Sequence, residues 1–389
     1  MNNFIFENAT KTFFGRGCVK EYLGCLVKQY GENVMFAYGE GSVKQNGVYE
    51  QVTESLEKAG KNVIEFSGIS PNPSYEKVLE GAKLARENKV HLIIGAGGGS
   101  VMDCCKAISM AAMYDGDLWA DFFARPGIID FEPLPLGVIV TAAGSGSEMN
   151  GVAVITNQAL KVKTGRDYPK RNPKFALMDP SYTVSVPAEQ MVSGGFDTLS
   201  YIMESYFGQP DEDNVSDDLA ETLMRSVIRS LRGAVAAPRD YVARSNLMWM
   251  ASMAKSRLIR LGKRADCQLC KMGNQLSAYT DCGYGAGLAV LQPVFYRHIF
   301  KENIPKFRRF AARVWEIMPE GKTEEELAVA GLEALEGFIR EMRLPTTLRE
   351  LGADESLDLE ALAGSCAVSC CSCRKMSREE ILEIFRECY

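Results

Sequence analysis

The segment VHLIIGAGGGSVMDCCK, from Val90 to Lys106, constrains the fold of this chain more than any other part of it. A short apolar run leads into a turn containing Gly95, Gly97–Gly99 and Ser100, and a helix-like stretch follows. A strand that feeds a helix in this way leaves backbone N–H groups open at the helix start, where the helix dipole favours an anion. The segment therefore predicts a phosphate cradle. Serine stands at the last glycine position of G-x-G-x-x-G, so a glycine turn without a ligand is the alternative.

Length and charge limit the classes of protein to consider. With 389 residues, 46% of them apolar, the chain exceeds what one hydrophobic core usually serves, so two domains are expected. A net charge of -6 and a pI near 5.4 provide no basic stripe for nucleic acid. No apolar run approaches the ~18 residues that a membrane helix needs. Neither nucleic acid nor a membrane is an expected partner.

The N-terminus and the cysteines point to a reducing compartment. The first residues, MNNFIFENATKTFFGRG, contain neither a basic leader nor a continuous apolar core, so no secretory signal is expected. Twelve cysteines include the adjacent pairs Cys104–Cys105 and Cys370–Cys371, which suit free thiols better than a disulfide framework. We therefore expect a cytoplasmic protein.

Two kinds of periodicity divide the chain. The first half alternates β-rich runs with helix candidates such as Ser74 to Asn88, a pattern typical of βαβ units and a parallel sheet. From about Val186 helical periodicity takes over. The proline-rich segment from Asn172 to Pro187 is the expected boundary. These features predict an α/β Rossmann-like domain over residues 1–183 and an all-α domain over residues 184–389. The β-rich runs are NVMFAY from Asn33, NVIEF from Asn62, VHLII from Val90, LGVIVT from Leu136 and VAVIT from Val152; the helical stretches are 214–237, 241–262, 305–318 and 323–343.

Four further segments resemble the iron-containing, group III alcohol dehydrogenases, in their butanol dehydrogenase branch. They are YGEGSVKQNGVYEQV from Tyr38, TAAGSGSEMN from Thr141, NPKFALMDP from Asn172 and ARSNLMWMAS from Ala243. The resemblance implies a dehydroquinate synthase-like architecture, with a dinucleotide-binding α/β domain, a helical domain that holds a divalent metal, and a cleft for the nicotinamide and a small alcohol or aldehyde. It also implies a homodimer, because the N-terminal FIFENATKTFFG matches the strand segment through which relatives pair.

The resemblance assigns the cofactor residues one by one. Lys163 matches a lysine near the cofactor, for which an exposed loop lysine is the alternative. Near the adenosine ribose, the positive charge of Lys44 would attract the 2′-phosphate of NADP, whereas the negative charge of Glu40 would repel it. We give Lys44 the greater weight, so the sequence favours NADP over NAD. The pyrophosphate turn is matched by Gly97, Gly98, Gly99, Ser100 and Asp103, the TxxxTGSE segment by Thr141 and Ser145, and the ribose segment by Gly39, Gly41, Ser42 and Lys44.

The metal-binding pattern of the family is interrupted in this chain. Asp197 matches the ligating aspartate, but Tyr201 stands one helical turn later where a histidine is expected. Cys270 and Tyr284 occupy the other two histidine positions, and Asn274 that of a further active-site histidine. The resemblance implies that a divalent metal ion at these positions acts as a Lewis acid on the alcohol oxygen and raises the reaction rate on the order of 10³-fold. Because phenols and a thiol do not make a normal iron site, iron is not expected. The chain's two histidines, His91 and His298, are expected to be structural.

Three functions remain open from the sequence. In the first, an NAD(P)-dependent alcohol or aldehyde oxidoreductase uses Tyr201 or Tyr284 as proton donor, with Lys271 lowering the pKa of the phenol. In the second, the chain binds nucleotide without catalysis and serves as a partner subunit. In the third, Cys267, Cys270 and Cys282 form a zinc site with Asp197.

Overall fold

The computed structural model describes residues 2–209, 213–265, 267–369 and 374–389. The chain divides into two compact units, one formed by Glu7–Pro187 and the other by Ala188–Tyr389 together with residues 2–6. Cys370 and Cys371, an adjacent pair in the sequence, lie outside the described residues.

A six-stranded parallel sheet forms the centre of the unit Glu7–Pro187. Its strand order is β1-β8-β5-β4-β2-β3, and every pairing in it is parallel. The predicted α/β class is therefore confirmed. Its strands are β1 (Lys11–Phe14), β2 (Asn33–Tyr38), β3 (Asn62–Phe66), β4 (Leu92–Gly97), β5 (Leu136–Val140) and β8 (Phe175–Met178); its helices are α1 (Cys18–Leu26), α2 (Ser42–Gln45), α3 (Val48–Lys58), α4 (Tyr75–Glu87) and α5 (Gly99–Ala111).

Two strand expectations need correction. The run VAVIT is strand β6 (Val152–Asn157), which pairs antiparallel with β7 (Val162–Asp167) in a separate hairpin rather than joining the parallel sheet. The proline-rich segment expected to mark the boundary contains β8, which pairs with β1 and β5 inside the sheet. Only four residues of β8 lie between the flanking prolines, which explains why the segment looks like a linker.

Helices make up most of the unit that contains Ala188–Tyr389, as the helical periodicity predicts. Asn214 caps α7 through Asp217 N, and Thr323 forms a capping box with Glu326 at the start of α12. The helices are α6 (Ala188–Tyr206), α7 (Val215–Ala236), α8 (Tyr241–Lys255), α9 (Gln268–Thr280), α10 (Tyr284–Ile299), α11 (Ile304–Val314), α12 (Glu324–Glu341), α13 (Leu359–Ser365) and α14 (Arg378–Glu387).

A buried lysine on α5 forms hydrogen bonds with the segment of chain that follows β5. The Lys106 ammonium donates to Ser147 Oγ at 2.7 Å and to the Val152 carbonyl at 2.8 Å. Asp103 lies 4.0 Å away and accepts from Ser147 Oγ at 2.5 Å and from the Val154 N–H at 3.0 Å. Burial lowers the pKa of Lys106 to about 8, and the charge of Asp103 opposes that effect. The position of α5 therefore depends on a charge-compensated internal network.

Replacing Lys106 with methionine should destabilise the protein by about 3–5 kcal/mol, because Asp103 and two or more buried acceptors would lose their cation. Urea denaturation followed by circular dichroism would measure this as a lower transition midpoint. Lys58→Met is the matched control, since Lys58 is an exposed side chain paired 3.0 Å from Glu54, and a change within about 0.5 kcal/mol is expected for it. Equal midpoints for the two variants would contradict the role assigned to Lys106.

Candidate functional site

The glycine turn, where the sequence predicts a phosphate cradle, lies at the carboxyl end of β4. Strand β4 ends at Gly97 and helix α5 begins at Gly99. Gly98, the N-cap residue between them, has no side chain that could accept hydrogen bonds from the first N–H groups of the helix. A Cβ on Gly99 would lie 2.6 Å from Ser145 Cβ, so only glycine permits this close approach. Helix α5 is thirteen residues long, and the positive end of its dipole lies at the turn. The turn can therefore receive an anion from backbone N–H groups, as the sequence predicts.

Two hydroxyl residues assigned to the cofactor lie beside this turn. Thr141 directly follows β5, and its N–H donates to the Gly97 carbonyl at 3.1 Å. Ser145 Oγ accepts from the Ser147 N–H at 3.3 Å, which places it in the turn held by Lys106. The structure thus brings Gly97–Gly99, Thr141 and Ser145 to one edge of the sheet.

The residues assigned to the ribose follow β2, the strand next to β4. Gly41 has a φ of 129°, a conformation that favours glycine, and Ser42 opens α2. Lys44 lies over the rings of Tyr38 and Tyr49, at 5.3 and 4.6 Å from the ring centres. Gly39, the first residue of this loop, accepts from the Gly68 N–H at 3.1 Å. The loops after β2 and β4 are neighbours at the same sheet edge.

A carboxylate that the sequence analysis did not single out accompanies Lys44. Glu65 lies 3.8 Å from the Lys44 ammonium and accepts from the hydroxyls of Tyr38 at 2.6 Å and Tyr49 at 2.5 Å. These hydrogen bonds hold the pKa of Glu65 below its usual value. The charge of Lys44 is therefore partly balanced within the protein, and Glu40 is exposed in the same loop.

Lys163 and Asp103 both point into the protein. Lys163 lies in β7, is buried, and donates to Asn72 Oδ1 at 2.6 Å, so the alternative of an exposed loop lysine is wrong. Burial raises the pKa of Asp103, whose two oxygens receive the hydrogen bonds from Ser147 and Val154 described above. Asp103 therefore shapes the turn through its contacts with the protein, and its assignment to the cofactor stays a prediction.

In the helical unit, Asp197 and Tyr201 share one face of α6, as their spacing predicts. The Lys255 ammonium, at the end of α8, lies 3.5 Å from Asp197 Oδ1 and 3.8 Å from the centre of the Tyr201 ring. Burial would lower the pKa of Lys255, but Asp197 and the other surrounding groups raise it above its ordinary value. A protonated lysine therefore contacts the position where relatives are expected to bind a metal.

A second cation contacts the same aromatic ring. The Arg260 guanidinium lies 4.1 Å from the centre of the Tyr201 ring and 3.9 Å from Glu204. Its Nε donates to Ser205 Oγ at 3.1 Å. Two carboxylates and two cations thus balance each other around Tyr201.

Cys270 and Tyr284 are half-buried partners of each other. Burial raises the pKa of the Cys270 thiol to about 12, and the Tyr284 hydroxyl hydrogen-bonds to its sulfur. Burial also raises the pKa of Tyr284 well above its usual value, with the charges of Cys270, Glu204 and Asp197 adding to the effect. Tyr284 is accordingly a weaker acid than an ordinary phenol. Asn274 Nδ2 donates to Cys270 Sγ at 3.8 Å.

Lys271 does not have the predicted role. Its ammonium donates to the Val368 carbonyl at 3.4 Å, and Lys255 is the lysine that contacts Tyr201. Sequence adjacency to Cys270 was misleading because successive helical residues point in different directions. The roles of Lys106, Lys255, Arg260 and Glu65 were missed because no motif marks these residues. Apart from Asp103, which lies three residues from Lys106, the partners named here are distant in sequence.

The predicted zinc ligands have other neighbours. Cys267 Sγ donates to the Ala265 carbonyl at 3.5 Å, and Cys282 Sγ lies 3.9 Å from Ser277 Oγ. Within the described residues, no group of three or more His, Cys, Asp or Glu side chains is arranged to hold a metal ion. The expected grouping of Cys267, Cys270 and Cys282 with Asp197 is therefore corrected: these side chains do not form a ligand set in this structure.

The two histidines lie in ordinary surroundings. His298 contacts Glu387 at 3.0 Å, and His91 is exposed before β4. No helix in the described ranges is long and apolar enough to cross a bilayer.

Comparison with known families gives two matches that together span most of the chain. Residues 9–180 match the iron-containing alcohol dehydrogenase family, and residues 191–389 match the C-terminal region of the Fe-containing alcohol dehydrogenase family.

Relatives extend the similarity over the full length. The chain is 36% identical to NADH-dependent butanol dehydrogenase A of Clostridium acetobutylicum, with 100% of each chain covered. It is 32% identical to the NADPH-dependent aldehyde reductase YqhD of Escherichia coli, over 92% of this chain and 91% of the relative. The crystal structure of NADH-dependent butanol dehydrogenase A from Thermotoga maritima superposes with a TM-score of 0.93 at 35% identity, covering 100% of this chain and 99% of that one.

Proposed function

Because the chain belongs to the iron-containing alcohol dehydrogenase family, in its butanol dehydrogenase branch, we propose that it is an NAD(P)H-dependent oxidoreductase of small aldehydes and alcohols. The observation that carries the proposal is the convergence of the glycine turn, Thr141 and Ser145 at one sheet edge, beside the loop that contains Gly41. The named relatives, which depend on NADH or NADPH, support the same cofactor class.

We divide the roles between the predicted domains. Residues 1–183 bind the dinucleotide, with the pyrophosphate at the N-terminus of α5 and the adenosine ribose beside Ser42. Residues 184–389 contribute the groups that act on the carbonyl or alcohol oxygen, around Tyr201.

A resident iron ion does not fit the side chains around Asp197. The other ligand positions of the family are occupied by two phenols and a thiol, and a neutral tyrosine is a poor ligand. Asp197 already faces the Lys255 ammonium. Two unit charges of the same sign 4 Å apart repel by about 4 kcal/mol at an effective dielectric constant of 20, so a divalent ion beside Lys255 and Arg260 would be disfavoured. We therefore derive no step through a metal.

In the proposed reaction, Tyr201 donates the proton. A reduced nicotinamide held at the glycine turn would supply the hydride to the carbonyl carbon. The Tyr201 hydroxyl gives its proton to the carbonyl oxygen, and a proton from solvent later restores the phenol. Tyr201 is favoured over Tyr284 because the raised pKa of Tyr284 makes it a poor donor and its hydroxyl is bound to Cys270.

A second candidate function is nucleotide binding without catalysis. It is favoured by the departure from the metal-binding pattern at Tyr201, Cys270 and Tyr284, combined with a well-formed glycine turn. Such a protein would act as a partner subunit.

The first prediction from this proposal concerns turnover. With butanal as substrate, the protein should oxidise NADH or NADPH at a rate unchanged by EDTA, and Tyr201→Phe should lower kcat by about 10²-fold or more because the proton donor is lost. Nucleotide affinity, measured by fluorescence titration, should stay within about twofold, since the residues assigned to the nucleotide lie in residues 1–183 and Tyr201 is not among them.

Tyr279→Phe is the control variant, because Tyr279 is a half-buried tyrosine of α9 whose hydroxyl donates to the Ala361 carbonyl at 3.3 Å and to which no role in the reaction is assigned. Its kcat should equal that of the unmodified protein. If no aldehyde is reduced while nucleotide still raises the melting temperature, the binding-only function is favoured instead. Loss of activity in EDTA, restored by a divalent metal, would contradict the metal-free proposal.

The second prediction concerns the choice between NADP and NAD. The NADP preference favoured by the sequence stays a prediction, supported by the position of Lys44 and opposed by Glu40 and Glu65. Lys44→Met should lower the ratio of kcat/KM for NADPH to that for NADH by about tenfold, since one charge-assisted hydrogen bond is worth about 1.5–3 kcal/mol. Glu40→Gly should raise the same ratio. If neither variant changes the ratio, this loop does not discriminate between the cofactors.

We also propose a homodimer formed through the N-terminal segment. Strand β1 pairs with β8 on one side and is an edge strand of the sheet, and Ile5 is 95% exposed. Light scattering should give twice the chain mass of 42.9 kDa, and Ile5→Asp should shift the protein toward monomer. A monomer at micromolar concentration without the substitution would refute the proposal.

A further inference from the structure

Lys255 and Arg260 place two positive charges against one phenol. The ammonium and the guanidinium lie 3.8 and 4.1 Å from the centre of the Tyr201 ring, well inside the ~6 Å range of a cation–π contact. Tyr201 is therefore the common partner of both cations, which reach it from the end of α8 and from the 3₁₀ turn Leu258–Arg260.

Each of the two cations also contacts a carboxylate. Arg260 is oriented by Ser205 Oγ at 3.1 Å and by Glu204 at 3.9 Å. Lys255 lies 3.5 Å from Asp197, longer than the 2.7–2.9 Å of a close charge-assisted hydrogen bond. A lysine ammonium has three donors on a flexible stem, so it can turn toward a new oxygen without leaving its carboxylate.

These side chains are accessible as well as charged. The Lys255 side chain is 14% exposed and that of Arg260 28%, whereas the Glu204 carboxylate side chain is 5% exposed. The Asp197 side chain is 15% exposed, about as much as that of Lys255, and Arg260 is the most exposed of the four. A small oxygen-containing ligand at Tyr201 would therefore meet positive charge from both cations.

We propose that Lys255 is a catalytic residue that supplies the positive charge at the reacting oxygen, in place of a metal ion, and that Arg260 is a positioning residue for Tyr201. The inference rests on the proposed oxidoreductase function and extends it. As hydride reaches the carbonyl carbon, the π electron pair of the C=O bond moves to oxygen. The Lys255 ammonium stabilises this charge and keeps its own proton, while the proton that neutralises the oxygen comes from Tyr201. A preorganised charge at a developing oxyanion contributes about 10²–10³-fold in rate.

Substitution of Lys255 tests the inference in EDTA-treated protein with butanal and NADH or NADPH. Lys255→Met should lower kcat by about 10²-fold, with the dissociation constant for nucleotide unchanged within about twofold. Lys255→Arg keeps the charge and should retain at least about a tenth of the activity, which a merely structural loss would not explain. Adding Zn²⁺ or Co²⁺ should restore nothing. Lys301→Met is the control, because Lys301 is an exposed side chain paired with Glu325.

A second pair of variants covers the case in which Lys255→Met does not fold. Arg260→Gln should lower kcat by about tenfold and Arg260→Lys should recover part of it, with melting temperatures close to that of the unmodified protein.

The outcomes separate this inference from the function on which it rests. If the unmodified protein is active and either Lys255→Met retains full kcat or EDTA abolishes turnover, the role of Lys255 is wrong while the oxidoreductase function stands. If Lys255→Met fails to fold and Arg260→Gln retains full kcat, the inference is equally refuted. If the unmodified protein reduces no aldehyde, the proposed function fails and the inference fails with it.

Discussion

The nucleotide half of this protein depends on one buried ammonium group. Lys106 holds α5 against the Ser145–Ser147 turn and β6, and Asp103 from the same helix compensates its charge. A buried lysine without this carboxylate would be costly, and a buried carboxylate without the lysine equally so. Because the two residues lie three positions apart on α5, the helix carries its own counter-charge. Formation of the glycine turn at the start of α5 is thereby coupled to the packing of the Ser145–Ser147 turn beside it.

The helical half contains a second lysine–aspartate pair with different chemistry. Lys106 is wholly buried and bonded to several protein oxygens, whereas Lys255 is partly exposed and faces an aromatic ring and Asp197 at 3.5 Å. A buried cation bonded to several protein oxygens stabilises a structure, whereas a partly exposed cation can also act on a ligand. The contrast explains why we assign a scaffold role to the first lysine and a chemical role to the second.

Local patterns predicted much of this protein. The glycine turn, the alternation of strands and helices, and the helix starts at Ser74 and Thr323 are encoded within a few residues, so the sequence predicted them. Contacts between distant residues were not encoded in this way. Lys106 is 41 residues from Ser147, and β8 acquires its place only by pairing with β1 and β5. Lys255 was missed for the same reason, since nothing near it in sequence marks Asp197 as its partner.

The substitutions around Asp197 are linked by charge. The family resemblance places a divalent cation beside this aspartate, and the carboxylate is buried enough to need a positive partner. Replacing the histidines by Tyr201, Cys270 and Tyr284 would remove the ion and leave Asp197 uncompensated. In the metal-free site that we propose, Lys255 provides this positive charge 3.5 Å from Asp197, and Arg260 lies 3.9 Å from Glu204. Loss of the histidines alone would therefore destabilise this region, whereas loss accompanied by two cations preserves its electrostatic balance and keeps positive charge at Tyr201.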